Sequence, residues 1–197
     1  MKTILTTVIY FIIIITGFAQ NDLGSNEHMV FKGVPIDGTL SEYVSKLEKK
    51  GLNNLQTENG VALLNGDVAG YNDCYLVVST ISQKDLVYVL VVMFPVKDTW
   101  STLSYTYSDL KEKLTGKYGE PSEVTEEFNS NFEPDSDADK LYEVRNNNCI
   151  YHTIFHSENG GIDLSINYDR DSGYFVKLVY VDLKNTEIIN EINNNDL

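Results

Sequence analysis

The chain contains few of the residues that define several large classes of protein. Its 197 residues include only two cysteines, too few for a disulfide-dense scaffold or a zinc ribbon. Its 15 basic residues are outnumbered by 29 acidic ones, and the formal net charge of −14 excludes nucleic acid as the main partner, because phosphate binding needs a basic face. The 42% of apolar residues is too high for a disordered chain. The composition therefore indicates an acidic folded protein of one domain or two small units.

The N-terminus predicts export. One basic residue precedes the apolar run 8–15, and the small residues Gly17 and Ala19 stand at the −3 and −1 positions of a cleavage site. This pattern is typical of a secretory signal peptide over residues 1–19, with Gln20 first in the mature chain. The apolar run is shorter than the roughly 20 residues that a spanning helix needs, so we expect no membrane span in the mature chain. The predicted location is secreted or periplasmic.

Export gives the two cysteines, Cys74 and Cys149, two alternative roles. In an oxidising compartment they could form one disulfide that closes a long loop. They could also remain free thiols that pack as small apolar side chains within strands. The sequence leaves both alternatives open. A nucleophilic thiol is disfavoured, because neither cysteine has an activating base beside it in the sequence.

The first half of the mature chain, residues 20–97, predicts one helix and several strands. Thr39 and Glu42 have the spacing of a capping box, and the helix that they begin should end near Gly51. Turn residues then separate strand-like segments. Residues 86–94 are almost all apolar and β-branched, which predicts a central strand covered on both faces.

The second half, residues 98–185, repeats this order. Apolar residues recur every three or four positions from Trp100 to Tyr118, which predicts a helix with one apolar face. Strand-length segments linked by turn residues follow, and they predict an antiparallel meander. These segments are 122–128, 140–145, 149–156, 161–168 and 174–182. The Asn-rich residues 186–197 predict a flexible tail.

The two helices share a sequence pattern that suggests an internal duplication. Residues 40–47 and 107–114 match in their hydroxyl, acidic, basic and leucine positions at an offset of 67. Any two amphipathic helices could share such a pattern, but antiparallel strands follow each of these helices. We therefore predict an α+β fold of two helix-plus-antiparallel-sheet units in tandem, with the helices packed on one sheet face.

Three segments carry a family resemblance. Residues 31–40 (FKGVPIDGTL), the helix that begins at Trp100, and residues 114–121 (LTGKYGEP) resemble a group of secreted bacterial proteins to which no activity is attached. The layout of that group is similar to the tandem helix-plus-sheet arrangement of the β-lactamase inhibitor protein. The resemblance implies a fold only, and no inhibitory residue can be carried over to this chain.

Two patterns could indicate metal binding. His152 and His156 form an H-x-x-x-H pair, but the β-branched and aromatic surroundings favour a strand, on which they would be roughly 13 Å apart. In the acid-rich stretch 120–143, residues 135–139 alternate Asp as a calcium loop does. Lys140 then stands where such a loop needs glycine. We therefore favour a solvated acidic loop, with calcium binding as the alternative.

No motif for a catalytic nucleophile, a phosphate-binding loop or a metalloprotease occurs in the chain. We therefore expect no catalytic residue, no cofactor and no metal. The leading hypothesis is an exported non-enzymatic binding module whose partner is a protein with a basic surface. The alternatives are a small extracytoplasmic hydrolase with a site assembled from scattered residues, and a cation-stabilised structural domain.

Overall fold

The computed structural model describes residues 27–81, 84–129 and 133–195. Helices in these ranges are Leu40–Glu48 (α1), Trp100–Tyr118 (α2), Asp137–Arg145 (α3) and Leu183–Asn195 (α4). Strands are Val30–Phe31 (β1), Val34–Pro35 (β2), Asn53–Glu58 (β3), Val61–Val68 (β4), Tyr71–Thr80 (β5), Val87–Met93 (β6), Glu123–Phe128 (β7), Cys149–Ser157 (β8), Gly160–Asp169 (β9) and Gly173–Asp182 (β10). The predicted signal peptide, residues 1–19, lies outside the described residues.

Eight strands form one antiparallel sheet in the order β3-β4-β5-β6-β10-β9-β8-β7, while β1 and β2 pair separately. The strands before α2 lie on one side of this sheet, those after it lie on the other, and β6 meets β10 at the centre. The prediction of an α+β fold is confirmed, as is the prediction of a central strand over residues 86–94. Among the described helices, none is long and apolar enough to cross a membrane.

Helix α1 forms as its sequence predicts. The Thr39 hydroxyl accepts a hydrogen bond from the Glu42 backbone N–H, and the Glu42 carboxylate accepts one from the Thr39 N–H, so the predicted capping box is present. Tyr43 and Leu47 are fully buried one turn apart. Gly51 follows the helix with a φ of +88°, a conformation that favours glycine over residues with a side chain.

Helix α2 begins at Trp100, where Thr99 caps it, and ends at Gly119. Trp100, Leu103, Tyr107, Leu110 and Leu114 of the predicted apolar face are buried, and Tyr118 is partly buried. The Trp100 ring packs edge-on against Tyr151 of β8, with the ring centroids 4.9 Å apart. The buried Tyr107 hydroxyl forms a hydrogen bond with the Thr153 hydroxyl on the same strand. The helix is therefore held to β8 by aromatic packing and a buried polar contact.

The strands contribute to two separate clusters of buried side chains. Leu64, Leu76 and Leu90 belong to a large core that also contains the buried apolar residues of α1, α2 and α3. Intervening strand residues form a smaller cluster with no member from a described helix, and they lie on the opposite side of the sheet because successive side chains alternate. Its members are Leu63, Val77, Val89, Val91, Val179 and Val181. We call the side of the sheet that carries this smaller cluster the second face.

The prediction of a strand over residues 140–145 is wrong, because helix α3 occupies this segment. Ser136 caps the helix and Asp139 completes a capping box, so two polar side chains satisfy the backbone N–H groups of the first turn. Leu141 and Val144 are the buried residues of this helix. A pair of apolar residues three positions apart in so short a segment does not separate helix from strand by periodicity.

Helix α4 lies where the sequence predicted a flexible tail over residues 186–197. Asp182, at the end of β10, is fully buried, and its carboxylate accepts hydrogen bonds from the backbone N–H groups of Asn185 at 2.8 Å and Met29 at 2.7 Å. His28 Nδ1 lies 3.1 Å from the same carboxylate. Burial raises the pKa of Asp182, while these hydrogen bonds act in the opposite direction. One carboxylate therefore begins α4 and holds the segment before β1.

Gly160 should not tolerate a side chain. A Cβ at this position would lie 2.0 Å from the Val181 carbonyl oxygen and 2.6 Å from Met29 Cγ. We expect Gly160→Ala to lower the free energy of unfolding by about 2–3 kcal/mol, because backbone and core must shift. Gly116→Ala is the control, since nothing lies within 4 Å of the added Cβ, and it should raise stability by about 0.5–1 kcal/mol. Denaturant unfolding measures both, and equal midpoints for the two variants would contradict the account.

Candidate functional site

The second face carries a line of accessible side chains that crosses the entire sheet. Directly opposed residues of neighbouring strands share a face, and the registers of the seven strand pairs align one residue from each strand. In sheet order these residues are Asn53, Asn65, Tyr75, Met93, Lys177, Ser165, His152 and Thr125. None of the eight is buried. We call this line, about 34 Å long at the usual strand spacing, the cross-sheet row.

The apolar cluster of the second face lies beside the cross-sheet row. Leu63, Val77, Val91 and Val179 follow one another across β4, β5, β6 and β10, and all are buried. Tyr75, two residues before Val77 on β5, is 42% exposed. The row thus combines accessible aromatic, amide and hydroxyl groups with an apolar neighbour.

An ion pair joins β8 to β9 on the second face. His152 Nε2 is 2.9 Å from Asp163 Oδ2, and the two side chains are 31% and 32% exposed. The hydrogen bond to Asp163 raises the pKa of His152, and burial acts in the opposite direction. The imidazole therefore holds a proton to higher pH than an ordinary histidine does.

Ser165 lies between two basic side chains in the cross-sheet row. It is directly opposite His152 on one side and Lys177 on the other. The Ser165 hydroxyl accepts a hydrogen bond from Asn167 Nδ2 at 3.0 Å. Burial lowers the pKa of Lys177, while the nearby Asp163 carboxylate acts in the opposite direction. Hydroxyl, imidazole and amine groups are therefore neighbours on three adjacent strands.

The structure places the H-x-x-x-H pair on a strand, as the sequence predicts. His152 and His156 lie four residues apart on β8, with three paired residues between them. The described residues contain no group of three His, Cys, Asp or Glu side chains that could hold a metal ion. His152 instead pairs with Asp163.

The disulfide alternative for Cys74 and Cys149 does not hold, because both thiols are free. The cysteines lie on β5 and β8, which are separated by three strands of the sheet. Burial raises the pKa of the Cys74 thiol to about 11 and that of the Cys149 thiol to about 12. Both thiols are therefore protonated at neutral pH and are poor nucleophiles.

Two of the alternating Asp residues of 135–139, Asp137 and Asp139, lie in the first turn of α3. The Asp139 carboxylate accepts hydrogen bonds from the Ser136 hydroxyl at 2.6 Å and backbone N–H at 3.2 Å, and these bonds lower the pKa of Asp139. Asp137 accepts a hydrogen bond from the Ser101 hydroxyl at 2.9 Å, which links α3 to α2. The spacing that resembles a calcium loop is thus used as a capping box and a helix–helix contact.

Comparisons with protein-family models, with curated proteins and with solved structures found no match for this chain. The resemblance to secreted bacterial proteins therefore stays a prediction.

Sequence reasoning missed Asp163, Ser165 and Lys177. Each lies on a strand that the sequence predicts, at a position that alternates with core residues, so its exposure to one sheet face could have been anticipated. Their proximity to His152 could not, because β8, β9 and β10 are brought into register by pairings that a single sequence does not specify.

The pKa of His152 depends on its partner, and Asp163→Asn tests this. The variant should lower the pKa of His152, because the carboxylate that favours the protonated imidazole is lost. A pH titration of the His152 ring signals by NMR measures the change, and His156 is the internal control. An unchanged His152 pKa would contradict the ion pair.

The same pair makes stability depend on pH. Because the folded-state pKa of His152 is raised, its stabilising contribution is complete below the unfolded pKa of about 6.5 and is lost as the pH rises through the folded value. The stability difference between the parent and Asp163→Asn should therefore shrink from pH 6 to pH 8. Urea unfolding at a series of pH values measures this difference, and a gap that widens with pH would contradict the assignment.

Proposed function

We propose that this chain is an exported, non-enzymatic binding module that contacts a protein partner through its second face. The cross-sheet row is the observation that carries the proposal, since it offers accessible side chains from all eight strands beside an apolar cluster. A surface about 34 Å long is wide enough for a standard protein interface of about 800 Å² per partner. Small ligands favour concave, enclosing sites over an extended row of this kind.

The composition of the row suits protein recognition. Tyr75 provides amphipathic contact area at a low cost in side-chain entropy, and Met93 provides a flexible apolar contact surface. Asn53, Asn65 and Ser165 provide hydrogen-bonding groups beside them. Such a mixture of aromatic, Met and polar side chains is typical of transient protein interfaces.

Charge favours a basic partner. Glu58 lies on the second face at the β3 edge, and Glu123 and Glu127 lie on it at the β7 edge. The formal net charge of −14 adds a long-range field of the same sign. A partner with a basic rim would therefore be attracted to this face, and added salt would weaken the attraction.

We infer that the fold consists of two duplicated units whose helices cover the face opposite the row. Each half has a helix followed by four antiparallel strands, with α3 inserted only in the second. The sequence match between 40–47 and 107–114 supports the duplication, because its aligned apolar positions are buried in both helices. The membership of the main core supports the helix layer, since α1 and α2 supply buried residues to it and none to the second cluster.

Site-specific cross-linking tests the proposed interface. A photo-reactive phenylalanine analogue at position 75 or 152 should capture the same partner from an envelope extract. The matched control at Glu112, an exposed position on α2, should capture nothing in common with them. Tyr75→Ala should then weaken binding of the purified partner about tenfold, as the truncation of an aromatic anchor does.

Two results would contradict the proposal. One is capture of the same protein from position 112 as from positions 75 and 152. The other is a purified partner whose affinity does not change when Tyr75 is truncated and does not fall as salt is added.

The arrangement around Ser165 favours a second candidate, a small hydrolase. A serine hydroxyl beside an imidazole–carboxylate pair and a half-buried amine has the groups needed for nucleophilic catalysis. Two hydrogen bonds make the hydrolase the weaker candidate. Ser165 accepts one from Asn167, and His152 Nε2 already pairs with Asp163. A fluorophosphonate probe should label the parent but not Ser165→Ala if the chain is a hydrolase. Absence of labelling would remove this candidate.

A further inference from the structure

Strand β7 ends the sheet, and no other described strand pairs with its outer edge. It pairs with β8 over six consecutive residues without a register shift, whereas β3, at the other edge, has a bulge between Asn54 and Gln56. Bulges at edge strands hinder the addition of another strand. Of the two edges of the sheet, β7 is therefore the better template for a further strand.

The hydrogen bonds identify which backbone groups of β7 face outward. The Asn129 N–H donates to the Asn148 carbonyl at 2.7 Å, which places these two residues in a hydrogen-bonded pair. Such pairs alternate along an antiparallel ladder, so the N–H and C=O groups of Val124, Glu126 and Phe128 point away from β8. Among the described residues, no backbone hydrogen bond outside the ladder uses these groups.

The side chains of β7 select the charge of an added strand. Glu123 and Glu127 lie on the second face, and neither forms a salt bridge with a described residue. Glu126 lies on the opposite face and pairs with Lys111 of α2. The carboxylates of this edge that form no salt bridge therefore lie on the second face, four residues apart, and Glu123 also interacts electrostatically with His152.

These charges also oppose pairing with a second copy of the chain. An antiparallel β7 pair centred on Thr125 would place Glu123 opposite Glu127 of the other copy. A pair centred on Glu126 would place two Glu126 side chains together. Like charges directly opposite are destabilising in a sheet, so the edge disfavours its own copy and favours a cationic strand.

We propose that β7 binds an extended basic segment of a partner protein by strand addition. The backbone of that segment pairs with the outward groups of Val124, Glu126 and Phe128. Lysine or arginine side chains at positions two or four residues apart in that segment lie on the second face against Glu123 and Glu127. Main-chain hydrogen bonds supply affinity, and the alternate charged side chains supply specificity. This inference rests on the proposed binding function and names the mode and chemistry of one part of it.

A synthetic peptide tests this directly. The probe is a seven-residue peptide that alternates lysine with valine and has blocked ends, titrated at low salt into the mature chain, residues 20–197, which contains every described element. Hydrogen exchange of the amides of Val124, Glu126 and Phe128, followed by NMR, should slow several-fold on binding. The amides of Thr125 and Glu127 should not change, because they already donate to β8.

Two matched controls separate strand addition from simple charge attraction. The same peptide with N-methyl groups on alternate residues of its pairing edge keeps its charge but cannot complete the ladder, so it should bind at least fivefold more weakly. Glu123→Gln with Glu127→Gln should weaken the parent peptide about fivefold, since two cross-strand charge pairs are lost. Glu48→Gln with Glu112→Gln removes the same charge from exposed helix positions and should have little effect.

Three results would overturn the proposal: no binding of the peptide at low salt, equal binding of the N-methylated peptide, or binding without protection of the three outward amides. The wider binding function can survive any of them, because cross-linking from positions 75 and 152 does not involve β7. Conversely, peptide binding at β7 with no partner captured from positions 75 and 152 would contradict the proposal that the second face binds a protein. It would still support strand addition at β7.

Discussion

The pairing of β6 with β10 is the contact on which the rest of the molecule depends. It joins Val89 to Val181 and Val91 to Val179 at the middle of the sheet. Each of these strands also supplies side chains to both clusters, so the pair contributes buried residues on both sides of the sheet. A large-to-small substitution at one of these residues removes apolar contacts from the cluster to which its side chain belongs. Without this contact the eight strands would form two four-stranded sheets, each with one additional exposed edge.

Other contacts between the halves reinforce the central pair. The Tyr71 hydroxyl, at the start of β5, donates to Asp109 of α2 at 2.7 Å, and Lys113 donates to the same carboxylate at 2.6 Å. The Phe31 ring packs against Tyr180 of β10 with centroids 5.4 Å apart. Both contacts cross from one half of the chain to the other. Together with the β6–β10 pairing, these contacts hold together the two halves whose strands form the cross-sheet row.

Much of the fold was accessible to sequence reasoning, and the reason is local. The capping box at Thr39, the stripe of α2 and the apolar run of β6 are signals contained within one element. Helix α4 was missed because its cap, Asp182, stands at the end of an apolar strand and accepts a hydrogen bond from a residue 153 positions away. The alternating Asp residues of 135–139 resembled an ion site because a capping box and a calcium loop use the same residue types.

The candidate site was less accessible, because it depends on register. His152 could be placed on one face of a strand from its surroundings, but Ser165 and Lys177 become its neighbours only through two further pairings. Those pairings are decided by which side chains complete the core, a property of the whole sheet. The same limit applies to β7, whose position at the edge follows from the meeting of β6 and β10.

Native-state hydrogen exchange, resolved by residue, tests the central claim most directly. If the β6–β10 pair makes the sheet one cooperative unit, the most protected amides of β5, β6, β9 and β10 should exchange with the same free energy of opening. That value should equal the free energy of global unfolding measured with denaturant. Two distinct plateaus, one for β5 and β6 and a second for β9 and β10, would contradict the account, because the halves would then open independently.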